Sequence, residues 1–253
     1  MSRFLYISLF FFLSLAASGQ PQLYVSAPGG LGVCKKPSVT AKLNGKILYG
    51  EKVDVVGADS ALLVSEGFRT KFIKVAAGKN SGYVVDCYTL PFPPPKAGTK
   101  TFEDYLQQLS HIVGTDREAS SKKISPYTSD LVKLSFDNGA ELWQQVGVSS
   151  KLVQIVLPNC SVQQAFQITR LIGEFHRVVT SSTYFPLITD TASSKTPNRK
   201  VTVLREEPAD DINSPIWKIH FESTSGVYEM LEIFDLDGNA VISYEAGSWA
   251  FNG

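Results

Sequence analysis

The sequence predicts a small all-β barrel followed by an α+β domain in which an antiparallel β meander carries two helices. Three observations lead there. Before residue 91, short runs rich in Val, Ile and Tyr alternate with Gly, Asn and Asp turns, the pattern of a small barrel. The run Pro91-Phe92-Pro93-Pro94-Pro95-Lys96-Ala97-Gly98 then stops any helix or central strand, because proline fixes φ and removes a donor. After it, two helical patterns alternate with strand patterns. The implied organisation is a leader at 1–19, the barrel at 20–90, a Pro-rich linker at 91–99 and the α+β domain at 100–253.

The leader is read from Arg3, the uncharged apolar run Phe4 to Leu15, and the small residues Ala17-Ser18-Gly19 before Gln20. These are the parts of a secretory signal peptide. The run is short of the ~20 apolar residues a membrane-spanning helix needs. The expected product after cleavage is secreted or periplasmic, with no integral membrane segment.

Candidate strands in the first part are Gly32 to Cys34, Lys52 to Val56, Ala61 to Val64, Phe72 to Val75 and Gly82 to Val85. Their order carries Leu31-Gly32-Val33-Cys34 followed by Pro37-Ser38, then Gly50-Glu51-Lys52-Val53-Asp54-Val55, then Phe72-Ile73-Lys74-Val75, and finally Gly82-Tyr83-Val84 with Tyr88-Thr89-Leu90. In order and spacing this resembles the bacterial SH3-like (SH3b) family over residues 24–90. Cys34 stands where that family usually has Arg, and Phe72 where it usually has Trp. The resemblance implies an SH3-like barrel that binds outside the cytoplasm, its members often contacting peptidoglycan peptides. The stretch from Val56 to Phe72 is long for so small a barrel, and long excursions on rigid scaffolds often carry binding. Phe68, Arg69 and Lys71 are the binding candidates there.

An oxidising compartment favours cysteine pairing. In an SH3-like barrel the chain ends run close together, so a Cys34–Cys87 disulfide is expected, worth roughly 4 kcal/mol through the unfolded state. The alternative is two buried free thiols. Cys160 remains single, in Pro158-Asn159-Cys160-Ser161-Val162-Gln163-Gln164. Ser161 with Gln164 reads as a capping box. A thiol at a helix start can be an activated nucleophile, but His111, His176 and His220 fall at no recognisable spacing from it. A structural Cys160 is the preferred reading.

In the second part, Phe102, Tyr105, Leu106, Leu109, Ile112 and Val113 predict a helix from Thr101 to Val113. Leu131 to Phe136 and Ala140 to Val148 read as a hairpin about Asn138-Gly139. Lys151 to Leu157 is a strand and Ser161 to Ile172 a helix. Lys200 to Arg205, Ile216 to Glu222, Val227 to Phe234 and Ala240 to Tyr244 are four further strands. The turns between the last three are Thr224-Ser225-Gly226 and Asp235 to Asn239.

The chemistry is sparse. Asp235, Asp237 and Asn239 are better read as a hairpin turn than as a calcium loop. Glu206-Glu207 and Asp210-Asp211 read as a solvated acidic loop rather than a metal site, so no metal or cofactor is expected. Trp143, Trp217 and Trp249 read as core, with a ligand groove as the alternative. With 24 basic and 24 acidic residues the chain is neutral, which argues against nucleic acid as partner. The function expected is an exported, non-enzymatic bacterial binding protein of the cell envelope that recognises a cell-wall peptide or an envelope protein. The alternatives are an envelope hydrolase with its site in the second part, and a protein–protein interaction or inhibitor module.

Overall fold

Short β-branched runs separated by glycine turns become strands where they can pair, and here they pair into two antiparallel sheets. The computed structural model describes residues 22–118, 130–147, 150–189, 199–207, 214–223 and 227–247. The leader at 1–19, the turn at 224–226, Asp210, Asp211 and Trp249 lie outside the described residues.

The first sheet is built from β1 (Gln22–Val25), β2 (Leu31–Cys34), β3 (Leu43–Ile47), β4 (Lys52–Ser65), β5 (Phe68–Ala77), β6 (Asn80–Val85) and β7 (Thr89–Leu90). Their order is β3-β2-β6-β5-β4-β1-β7. That order is open, with β3 and β7 as edges, so no closed barrel is found among the described residues. Its inner face packs Val25, Val33, Ile47, Val53, Val75 and Val84 into a small core. Two stretches read as separate strands, Lys52 to Val56 and Ala61 to Val64, belong to the single long β4, irregular in register between Ala58 and Leu62. β4 and β5 therefore form a hairpin that projects well past the small core.

The second sheet follows α1 (Phe102–Leu109). It contains β8 (Ile112–Glu118), β9 (Leu131–Phe136), β10 (Glu141–Val146) and β11 (Ser150–Leu157), and, after α2 (Val162–Thr169), β12 (Arg199–Arg205), β13 (Ile216–Ser223), β14 (Tyr228–Leu236) and β15 (Asn239–Gly247). The eight strands run in the order β12-β13-β14-β15-β11-β10-β9-β8, so the last four strands and the first four join through β11 and β15. Residues directly opposite share a face. One such row is Val203-Ile219-Ile233-Ile242-Ile155-Leu142-Leu134. α2 lies on that apolar face, against β13, β14 and β15.

Local chemistry explains the element ends. Ser161 and Gln164 form the expected capping box at the start of α2, and Thr101 with Asp104 forms another at α1. The β14–β15 hairpin turns on Asp237 and Gly238, both at positive φ, as a two-residue turn of this hand requires. α1 ends four residues before the expected Val113. Ser110 is already extended, and the β-branched Ile112 and Val113 open β8, where Ile112 pairs with Phe136.

The expected Cys34–Cys87 disulfide is not present: all three cysteines are free. Cys34 stands opposite Tyr83 and Leu43 in the first sheet. Cys87 lies past the end of β6, in a short 3₁₀ turn (Asp86–Tyr88), and packs against the core of the second sheet. Cys87 thus packs with the large core, whereas Cys34 stays on the β2 face that opposes Leu43.

The two cores are not independent. The larger one takes Phe68 from β5 and Leu90 from β7 as well as α1, α2 and the second sheet. The proline segment is docked as well. Tyr49 Oη donates to the Pro95 carbonyl (2.5 Å), Tyr105 Oη donates to that of Pro93 (2.9 Å), and Phe92 packs on the large core.

Candidate functional site

The β4–β5 hairpin builds the junction. Its tip, Ser65-Glu66-Gly67-Phe68, reaches the segment after α2, where the Phe185 N–H donates to the Glu66 carbonyl (3.0 Å). Gly67 has φ +82°, and an added β-carbon would overlap the Phe185 carbonyl. Phe68 is fully buried, stacked on Phe185 (5.2 Å between centroids) and tilted against Phe166 (6.0 Å). Arg170 lies over the Phe68 ring at 5.3 Å and pairs with Glu66 at 3.3 Å. Gln167 Nε2 donates to Ser26 Oγ (3.2 Å), a second polar tie between α2 and the first sheet.

Alternation along β5 then separates two roles. Phe68 and Thr70 are buried toward the second part. Arg69, Lys71 and Ile73 point the other way and line a cavity of about 340 Å³. Its other walls are Leu23, Val55 and Ala58 from the first sheet, Asp86, Cys87 and Thr89, and Ser161, Gln163 and Gln164 from the start of α2. A second cavity of about 240 Å³ shares Arg69, Ser161 and Gln163 and continues to Phe185, Ile216, Trp217, Glu206 and Asp235. The two form one groove across the junction, with Arg69 between them.

Of the three expected binding residues, the structure thus brings Arg69 and Lys71 to this groove and places Phe68 beneath it as packing. The cationic wall faces the first turn of α2, where the capping box occupies the Ser161 and Gln164 N–H groups and the helix end carries partial positive charge. Asp86 is committed internally: it accepts from Thr70 Oγ1 (2.6 Å) and from the Lys71 N–H (3.2 Å). Apolar Leu23, Val55 and Ile73 lie at one end; at the other, Ile216 and Trp217 stand with the carboxylates of Glu206 and Asp235. The Lys71 end suits a carboxylate, and the Trp217 end suits an apolar or cationic group. Trp217 and the α2 residues escape a sequence reading because only folding brings them beside β5. Neither Trp217, 37% exposed, nor Trp143, with Lys133 over its ring at 4.6 Å, is a core residue.

Cys160 cannot serve as an accessible nucleophile. It is 1% exposed, and burial pushes its thiol up to about 12, outweighing any effect of the helix start. Burial likewise lifts Cys87 to about 12. His220 is engaged with Glu232 (Nδ1 to Oε1, 3.0 Å), and this cross-strand pair occupies the sheet face opposite the apolar row. Among the described residues, no group of three or more His, Cys, Asp or Glu could hold a metal ion, and no helix is long and apolar enough to cross a membrane. No protein-family model, no curated protein and no solved structure matches the chain.

Proposed function

We propose that this chain is an exported, non-enzymatic binding protein. Its first sheet acts as an SH3b-like module that recognises a cell-wall peptide or a peptide segment of an envelope protein. The observation that carries the reading is the groove at the junction, with Arg69 and Lys71 on one wall, the first turn of α2 on the other, apolar surface at one end, and Trp217 with Glu206 and Asp235 at the other. A peptide carboxylate fits between cations and a helix N-terminus, where charge-assisted hydrogen bonds are strongest. Its side chains fit against Leu23, Val55 and Trp217. The buried Cys160 speaks against the cysteine version of a hydrolase.

The test is retention of the purified protein on cell-wall sacculi and on isolated envelope proteins, for the parent chain and for Lys71→Glu and Arg69→Glu. Retention by one of these, reduced about tenfold or more by either charge reversal, supports the proposal. Retention unchanged by both reversals, or none to either preparation, contradicts it.

A further inference from the structure

The charges of the first sheet are unevenly placed. Residues 22–50 contain four lysines and no Asp or Glu, and residues 68–85 contain three lysines, one arginine and no acid. The five acidic side chains of residues 22–90 all have internal partners. Glu51 accepts from the Leu48 N–H, Asp54 from Gln22, Asp59 from the Ala61 N–H, Glu66 from Arg170 and Asp86 from Thr70.

The lysines of the β2–β3 hairpin are all exposed, and among the described residues none of them forms an ion pair. Lys35 and Lys42 face each other across the connecting loop, where the Lys35 N–H donates to the Lys42 carbonyl (3.1 Å). Lys46 lies on the outer face of β3. Asn80 Nδ2 donates to the Lys46 carbonyl (3.1 Å), which brings the neighbouring turn and its exposed Lys79 alongside. Two apolar side chains stand out among these cations, Val39 at 75% and Leu43 at 61% exposure. Register puts Leu43 on the same outer face as Lys46, since Gly32 opposes Lys46 and Cys34 opposes Leu43 across one bulge.

We infer that this hairpin is a docking surface for an anionic lipid bilayer, with the lysines meeting lipid phosphates and Val39 and Leu43 entering the headgroup–acyl boundary. Cations within a Debye length of an anionic surface are attracted to it, and apolar side chains among them add affinity by leaving water. A nucleic-acid duplex would use the cations and leave the two apolar side chains in water, so a bilayer accounts for more of the surface. The surface is separate from the junction groove and does not depend on what that groove binds.

The experiment is vesicle co-sedimentation of the chain from Gln20 onward, which keeps every described strand and removes the apolar leader. The vesicles are phosphatidylcholine alone or two parts phosphatidylcholine to one part phosphatidylglycerol. Binding to the anionic vesicles alone is expected, weakening as salt rises and falling about fivefold for each of Lys35→Gln, Lys36→Gln, Lys42→Gln and Lys46→Gln. The double variant Val39→Ser, Leu43→Ser, with every lysine intact and an unchanged circular-dichroism melt, should lose about a further tenfold. Three results overturn the inference: no anionic binding, equal binding to neutral vesicles, or full binding by the double serine variant. A short DNA duplex bound as tightly as the anionic vesicles, with no effect of that double variant, reassigns the surface to polyanions in general and also overturns it.

Discussion

Replacing Phe68 by alanine tests whether the two sheets are one folding unit. The ring comes from a hairpin of the first sheet, yet it is fully buried in the core of the second, against Phe185, Phe166 and the Arg170 guanidinium. Removing a fully buried phenylalanine typically costs about 3–5 kcal/mol, the transfer free energy plus the cavity left behind. Three aromatic contacts, the third an edge contact with Tyr88 at 6.4 Å, and a cation–π contact disappear with it, which places the expectation in the upper half of that range. Against a domain stability of about 5–15 kcal/mol this is a large fraction. The assay is urea denaturation, followed by tryptophan fluorescence, which reports on the second part where all three tryptophans lie, and by circular dichroism, which reports on both. The variant should lose about 4 kcal/mol, with both probes moving together in a single transition. A loss below about 1 kcal/mol, or a first transition silent in tryptophan fluorescence, would refute the shared core.

Other expectations follow from the same junction and from the thiols. Gly67→Ala should cost about 1–3 kcal/mol from the positive φ alone, and more from overlap with the Phe185 carbonyl; a thermal melt unchanged from the parent contradicts the docking of the tip. Thiol titration in denaturant should count three free cysteines without prior reduction, and a reducing agent should leave the melting temperature where it was; a count of one would reinstate the Cys34–Cys87 bridge. Burial raises the Cys160 thiol from 9.0 to about 12 in the folded chain. Above pH 9 the unfolded chain therefore binds fewer protons than the folded one. The stability this thiol contributes is complete below pH 9 and is lost as pH climbs toward 12, at about 1.4 kcal/mol per pH unit. Denaturation measured on either side of pH 9, with Cys160→Ala reducing the slope, checks the sign.

Much of the element order was legible because local chemistry determines it. The Ser161–Gln164 capping box starts α2, and the hairpin turns at Asn138-Gly139 and Asp237-Gly238 stand where their residue types place them. β1, β3, β7 and β8 are not among the strands the sequence predicts. β1 and β3 are short and lie beside Pro, Gly and Lys; β1 takes its pairing from the distant β4 and β7, and β3 is an edge strand paired with β2 alone. Ile112 and Val113 of β8 continue the apolar helical spacing of α1, so periodicity alone does not separate the two elements. The hairpin was visible as an excursion but not as a wedge. In Phe68 to Val75 the side chains at 68, 70 and 72 are buried, and so are those at 73 and 75, so period-two reasoning finds no single outer face. The groove was half legible. Arg69 and Lys71 stood out as cations on the long excursion, whereas Gln163, Gln164 and Trp217 join them only through tertiary contacts. One signal was available for the junction itself: Arg170 closes the apolar pattern of α2, and a cation in that position needs a buried partner.

The most direct measurement of the binding account is an amide NMR titration of the isotope-labelled protein with soluble peptidoglycan stem peptides. Shift changes gathered at residues 69–73, at 161–164 and at the Trp217 indole, and abolished by Lys71→Glu, are the expected result. Saturating peptide that leaves those signals in place, or that moves only signals remote from the junction, would contradict it.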